Sequence, residues 1–146
     1  MVAEDTILKD TSLYVLALLE SNLVDPESRG VDWIFSSYPD PSAADFPGYP
    51  VVTFTSPSTP AAPVTMKGDK WFYILTLPID VFAKSAQVCD ETSQNLMKVM
   101  KDDYANFQTE GLFNMKIDSS DLSVASINNV KVYNKLITYT WEFYPT

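Results

Sequence analysis

The chain has 146 residues, 46% of them hydrophobic, which suits one globular domain over 1–146 with its own core. Nineteen acidic against ten basic residues give a net charge of −9, which disfavours binding to nucleic-acid backbones or anionic lipid. With no histidine and one cysteine, Cys89, the chain can build neither an intrachain disulfide nor a histidine-based triad, and it lacks the commonest metal ligand.

In chain order, Ile7, Leu8, Tyr14, Val15, Leu18, Leu19, Asn22 and Leu23 fall at helical spacing. They predict a helix over 6–24 with Asp5 as N-cap and a stripe at 15, 18, 19 and 23 packed on a sheet. Asp25-Pro26-Glu27 ends it, because a residue before proline avoids the helical region. The N-terminus is acidic, and its apolar run from Leu13 to Leu19 is too short to cross a bilayer. The expected location is therefore a cytoplasm, at least until assembly. VDWIFS (31–36) and VVTFT (51–55) read as strands. Between them a loop with prolines 39, 41, 47 and 50 is anchored by Tyr38, Phe46 and Tyr49. SPSTPAAP (56–63) reads as an exposed, extended, mobile loop.

The main strand is expected over 69–82. Trp71, Tyr73, Leu75, Leu77, Ile79 and Val81 share one face, and Phe72, Ile74, Thr76, Asp80 and Phe82 the other. Both faces are largely apolar, so the strand is central or lies at a subunit interface. Pro78 predicts a bulge or an unpaired side. Ser85 is the expected N-cap of a helix over 86–107 with an inner stripe of Cys89, Ser93, Leu96, Met100, Tyr104 and Phe107. Strands follow at 112–118 and 122–127, then a turn at Asn128-Asn129. A hairpin of 130–133 with 136–144 around Asn134-Lys135 completes the pattern, and its last strand, where Ile137, Tyr139, Trp141 and Phe143 alternate, closes the sheet. The fold class is α+β: a mixed, mainly antiparallel β-sheet with two α-helices packed on one face.

The raw material for chemistry is sparse. Asp80, on the main strand among apolar residues, is the carboxylate best placed to act as an acid or base, and a strand-end capping role is the simpler account. Asp102-Asp103 and the Asp118 to Asp121 stretch lack the spacing of a calcium loop. The four glycines are dispersed, so no phosphate-cradling loop exists. Trp33, Trp71 and Trp141 could form a ligand box but read more simply as core or interface anchors. Cys89 reads as a small buried residue. No catalytic, cofactor-binding or metal residue is expected, nor any enzymatic activity.

Four segments carry a family resemblance. They are DWIFSSYPDPSAADFPGYPVVTF, the strand-to-helix unit WFYILTLPIDVFAKSAQVCDETSQNLMKVM, GLFNMKIDSSDL, and the C-terminal NKLITYTWEFY. Together they resemble the tail-completion or tail-terminator proteins of long-tailed phages and archaeal tailed viruses. The resemblance implies a ring homo-oligomer, commonly a hexamer, at the neck of the virion. Such a ring caps the tail tube protein and joins it to the head connector or adaptor protein, and is assembled in the host cytoplasm without a membrane. Genomic DNA would pass through an acidic lumen without being held. A head-completion adaptor or stopper would give the same outline. So would a small soluble binding module that uses the aromatic sheet face for a ligand or peptide.

Overall fold

Two long antiparallel strands, β4 (Trp71–Ala83) and β7 (Val130–Phe143), form the spine of the molecule. The structure, a computed structural model, describes residues 2–55, 57–59, 64–65 and 71–144. A 3₁₀ turn (Glu4–Thr6) leads into α1 (Ile7–Asn22), followed by β1 (Ile34–Phe35), β2 (Val51–Phe54) and β3 (Val64–Thr65). After β4 come α2 (Ala86–Asp102), α3 (Tyr104–Thr109), β5 (Leu112–Ser119) and β6 (Ser123–Ile127), and then β7. The strand order is β1-β2-β4-β7-β5, with β3 added to β4 and β6 to β7. The β1–β2 pair is parallel and the remaining pairs are antiparallel, so the sheet is mixed and mainly antiparallel.

Period-two alternation fixes the buried face. Leu75, Leu77 and Ile79 stand opposite Trp141, Tyr139 and Ile137, and all six are fully buried. Against them pack Val15 and Leu19 of α1, Cys89, Leu96 and Met100 of α2, and Phe107 of α3 in one cluster. The helices thus lie on one face, as expected, though among the described residues there are three α-helices rather than two. Pro78 keeps its register with Thr138 of β7. Its missing N–H faces β2, because the N–H of Thr76, two residues earlier, donates to Ser58 on that side. Among the described residues the β2 ladder stops at the Phe54–Ile79 pair and the next pair is Ser58–Thr76, so no described residue pairs with β4 on this side where proline stands.

Several boundaries differ from expectation. Thr6, not Asp5, precedes α1, and neither caps it with a side chain; Asp10 instead accepts from the Ala3 N–H and the Thr6 hydroxyl. The first strand shrinks to Ile34–Phe35. Of SPSTPAAP, Pro57 is buried and Ser58 exchanges two 2.9 Å backbone bonds with Thr76, so this end is ordered by β4; residues 56 and 60–63 lie outside the described residues. Ser85 caps α2 as expected, its hydroxyl accepting from the Val88 N–H. The helix then breaks at Asp103, whose carboxylate accepts from Tyr14 OH at 2.5 Å and from Asn106 Nδ2 at 2.6 Å. The break resets the phase: Phe107 stays buried, but Tyr104 turns outward at 39% exposure and leaves the predicted stripe.

The predicted hairpin at Asn134-Lys135 is absent. Tyr133, Asn134 and Lys135 pair without interruption with Ala83, Phe82 and Val81. Asn134 Nδ2 donates to Asp80 and to the Val81 carbonyl, and Lys135 reaches Asp90 at 3.2 Å. Both turn-prone side chains are satisfied inside the sheet, which removes the incentive to turn. Nor does β7 close the sheet; it is interior, with β4 on one side and β5 and β6 in line on the other. The true turn is Asn128-Asn129, both with positive φ (52° and 62°), the geometry of a two-residue hairpin.

Candidate interaction surface

The face of the sheet turned away from the helices carries Phe72, Ile74, Thr76, Pro78, Asp80 and Phe82 from β4, all half-buried. Beside them run Leu136, Thr138, Thr140 and Glu142 of β7, also half-buried. Among the described residues no helix packs on this face. An aromatic group occupies one end: Tyr144 stacks on Phe72 with centroids 5.5 Å apart and meets Phe113 edge-on. Glu142 accepts from Tyr144 OH and Asn114 Nδ2, which hold its carboxyl below the usual range.

The opposite end is covered by the proline-rich loop. Tyr38 stands edge-on to Phe82 at 4.8 Å, its hydroxyl bonds that of Tyr49 at 2.6 Å, and Phe46 meets Tyr49 at 5.3 Å. Burial, then the bond to Tyr49, raises the Tyr38 phenol pKa, so the Tyr38 hydroxyl keeps its proton. Arg29 fixes this loop from beneath. Its guanidinium donates to the carbonyls of Pro47, Gly48 and Pro50 and to the Asp25 carboxylate, and it lies 5.7 Å from the Trp33 ring centre. Burial alone would raise the Asp25 pKa; the bonds from Arg29 and from the N–H groups of Glu27 and Arg29 outweigh it and lower the value. Sequence reading anticipated the aromatic anchors but not Arg29. Its signal was available: the chain's sole arginine, four residues after an aspartate.

The loop and the Asn128-Asn129 turn enclose a groove of about 360 Å³ walled by Pro41, Phe46, Pro47, Tyr49, Ile127 and Val130. A second groove of about 480 Å³ runs between α1 and α2 past Leu18, Leu23, Lys98 and Asp102. On the β5–β6 edge, Ile117 and Val124 are 43% and 53% exposed.

The residues weighed for chemistry are dispersed. Asp80 accepts from Asn134 Nδ2 at 3.1 Å and so serves to hold β7, at mid-ladder between Thr53 and Leu136 rather than at a strand end. Asp102 pairs with Lys98 at the surface, Asp103 takes the bond from Tyr14, and Asp118 and Asp121 are exposed. Among the described residues no three acidic or cysteine side chains cluster as a metal site would require. Cys89 is fully buried, and burial followed by Asp90 pushes its thiol up to about 11. Trp33 and Trp141 are core residues; Trp71 stands opposite Thr65 in the sheet, and its side chain lies outside the described residues. Comparison of the sequence with protein-family models and with curated proteins finds no match.

Proposed function

We propose that this chain is a structural virion subunit that assembles as a ring at the head–tail junction of a tailed virus, capping the tail tube and meeting the head connector. It acts through its surfaces and not by catalysis. The observation that supports this reading best is the one-sided sheet. Helices cover one face, while the other presents Phe72, Ile74, Pro78, Leu136 and Tyr144 half-exposed between an aromatic end and an ordered loop. An apolar face of this kind gains free energy when a neighbour removes it from water. Repetition of one such contact around an axis makes a ring. The net charge of −9 suits a channel through which DNA slides without adhering. Six copies is the number that the sequence resemblance implies.

The test is to tag the chain, purify particles and image them. A density ring carrying the tag at the junction of head and tail is expected. A tag spread along the tail tube, on the capsid shell, or absent from particles overturns the reading and favours a soluble binding module.

A further inference from the structure

The geometry points to the contact that joins one copy to the next: the proline-rich segment between Ser58 and Val64 of one copy docks in the aromatic groove of another. This rests on the reading that copies associate, and it deepens that reading by naming which surfaces meet. The groove is walled by Pro41, Phe46, Pro47, Tyr49, Ile127 and Val130. Grooves lined by aromatic rings and proline recognise polyproline II segments, whose ridges fit between the rings at little entropic cost. Here the wall is preorganised, because Arg29 ties down the carbonyls of Pro47, Gly48 and Pro50, and Tyr38 braces Tyr49.

The chain itself carries a matching ligand. Pro60-Ala61-Ala62-Pro63 is a P-x-x-P motif, its two prolines three residues apart, which is the period of polyproline II. A copy cannot fill its own groove. Its segment is tethered where Ser58 pairs with Thr76 and Val64 pairs with Phe72. The groove adjoins the other end of β4: Lys84 lines it, and Tyr38, whose hydroxyl bonds that of Tyr49, stands edge-on to Phe82. Six residues of strand, about 20 Å, separate Thr76 from Phe82. The six peptide steps from Ser58 to Val64 extend to roughly 21 Å at most, far short of the path out to Phe82 and back to Phe72. The occupant is therefore a second copy. Segment and groove lie at opposite ends of β4, so the contact is head-to-tail and can repeat until it closes.

The test uses a peptide of residues 55–65 titrated into the intact protein, read by amide NMR shifts. Saturable shifts at Phe46, Tyr49 and Val130 are expected. Replacing both Pro60 and Pro63 by Ala in the peptide, or Phe46 by Ala in the protein, should weaken binding at least about tenfold. In full-length chains, Pro60→Ala/Pro63→Ala and Phe46→Ala should each lower self-association seen by sedimentation velocity. Mixing the two variants should restore dimers but no larger species, since each retains one complementary half, an outcome misfolding cannot mimic. Absence of shifts at the groove, indifference to the proline substitutions, or an unrelated proline-rich peptide binding as tightly overturns the proposal. Rings at the neck built equally well by the variants would sink this contact alone. Tagged rings found elsewhere would sink the neck reading alone.

Discussion

Arg29 does the work of several residues at once. Its fork satisfies three carbonyls of a loop that has four prolines and few backbone donors of its own, while Asp25 neutralises its charge. The side chains of the pair are only 15% and 12% exposed, so each ion depends on the other for solvation. Asp25→Asn should cost about 1–3 kcal/mol at neutral pH in urea unfolding. Because the folded state lowers the Asp25 pKa, its contribution is present above the unfolded carboxylate value, near 4, and lost as pH falls through the lower folded value. The gap between wild type and Asp25→Asn should therefore close in acid. A gap that persists unchanged at low pH would mean that the charge on Asp25 is not what holds the loop.

At the scale of elements, the α2–α3 unit separates what local pattern encodes from what it does not. Ser85 with the Cys89, Ser93, Leu96 and Met100 stripe is visible as a cap followed by a period of 3.6, and the helix forms there. The break at Asp103 depends on the hydroxyl of Tyr14, 89 residues away in sequence, and no window on α2 contains it. Substitutions should follow the observed phase. Leu96→Ala and Phe107→Ala, at fully buried sites, should each cost roughly 2–5 kcal/mol in denaturant melts. Tyr104→Ala and Asp102→Ala, on the exposed side, should cost less than about 1 kcal/mol. A Tyr104 variant as damaging as the Phe107 variant would restore the unbroken helix.

For the whole molecule, apolar attraction and charge repulsion oppose each other. Each copy carries a net charge of −9, so bringing copies together costs Coulomb energy that salt screens. If the apolar sheet face and the aromatic groove drive assembly, self-association should strengthen as salt rises from about 50 mM toward 500 mM, where the screening length falls well below 10 Å. Sedimentation velocity across that range checks it. Dissociation by salt would instead point to charge pairs between copies, such as Lys84 or Lys131 against a neighbour's carboxylates.

The sequence by itself determined what depends on neighbours along the chain. The alternation in β4 and β7, the Ser85 cap, the gap at Pro78 in the described pairing and the left-handed Asn128-Asn129 turn all follow from side-chain direction, backbone donors and φ preference within a few residues. Tertiary structure decided the choices that local chemistry left balanced. Both faces of β4 are apolar, and only the arrival of the helices makes one of them the core. Asn134-Lys135 looks like a turn until Asp80, Val81 and Asp90 supply partners that keep β7 straight. The groove is built the same way. Its aromatics and prolines can be read off the sequence, but its walls meet only because Arg29 and Phe82 hold a distant loop against the Asn128-Asn129 turn. Long-range bonds outweigh local propensity there because each satisfies a polar group or ring that no nearby residue could reach.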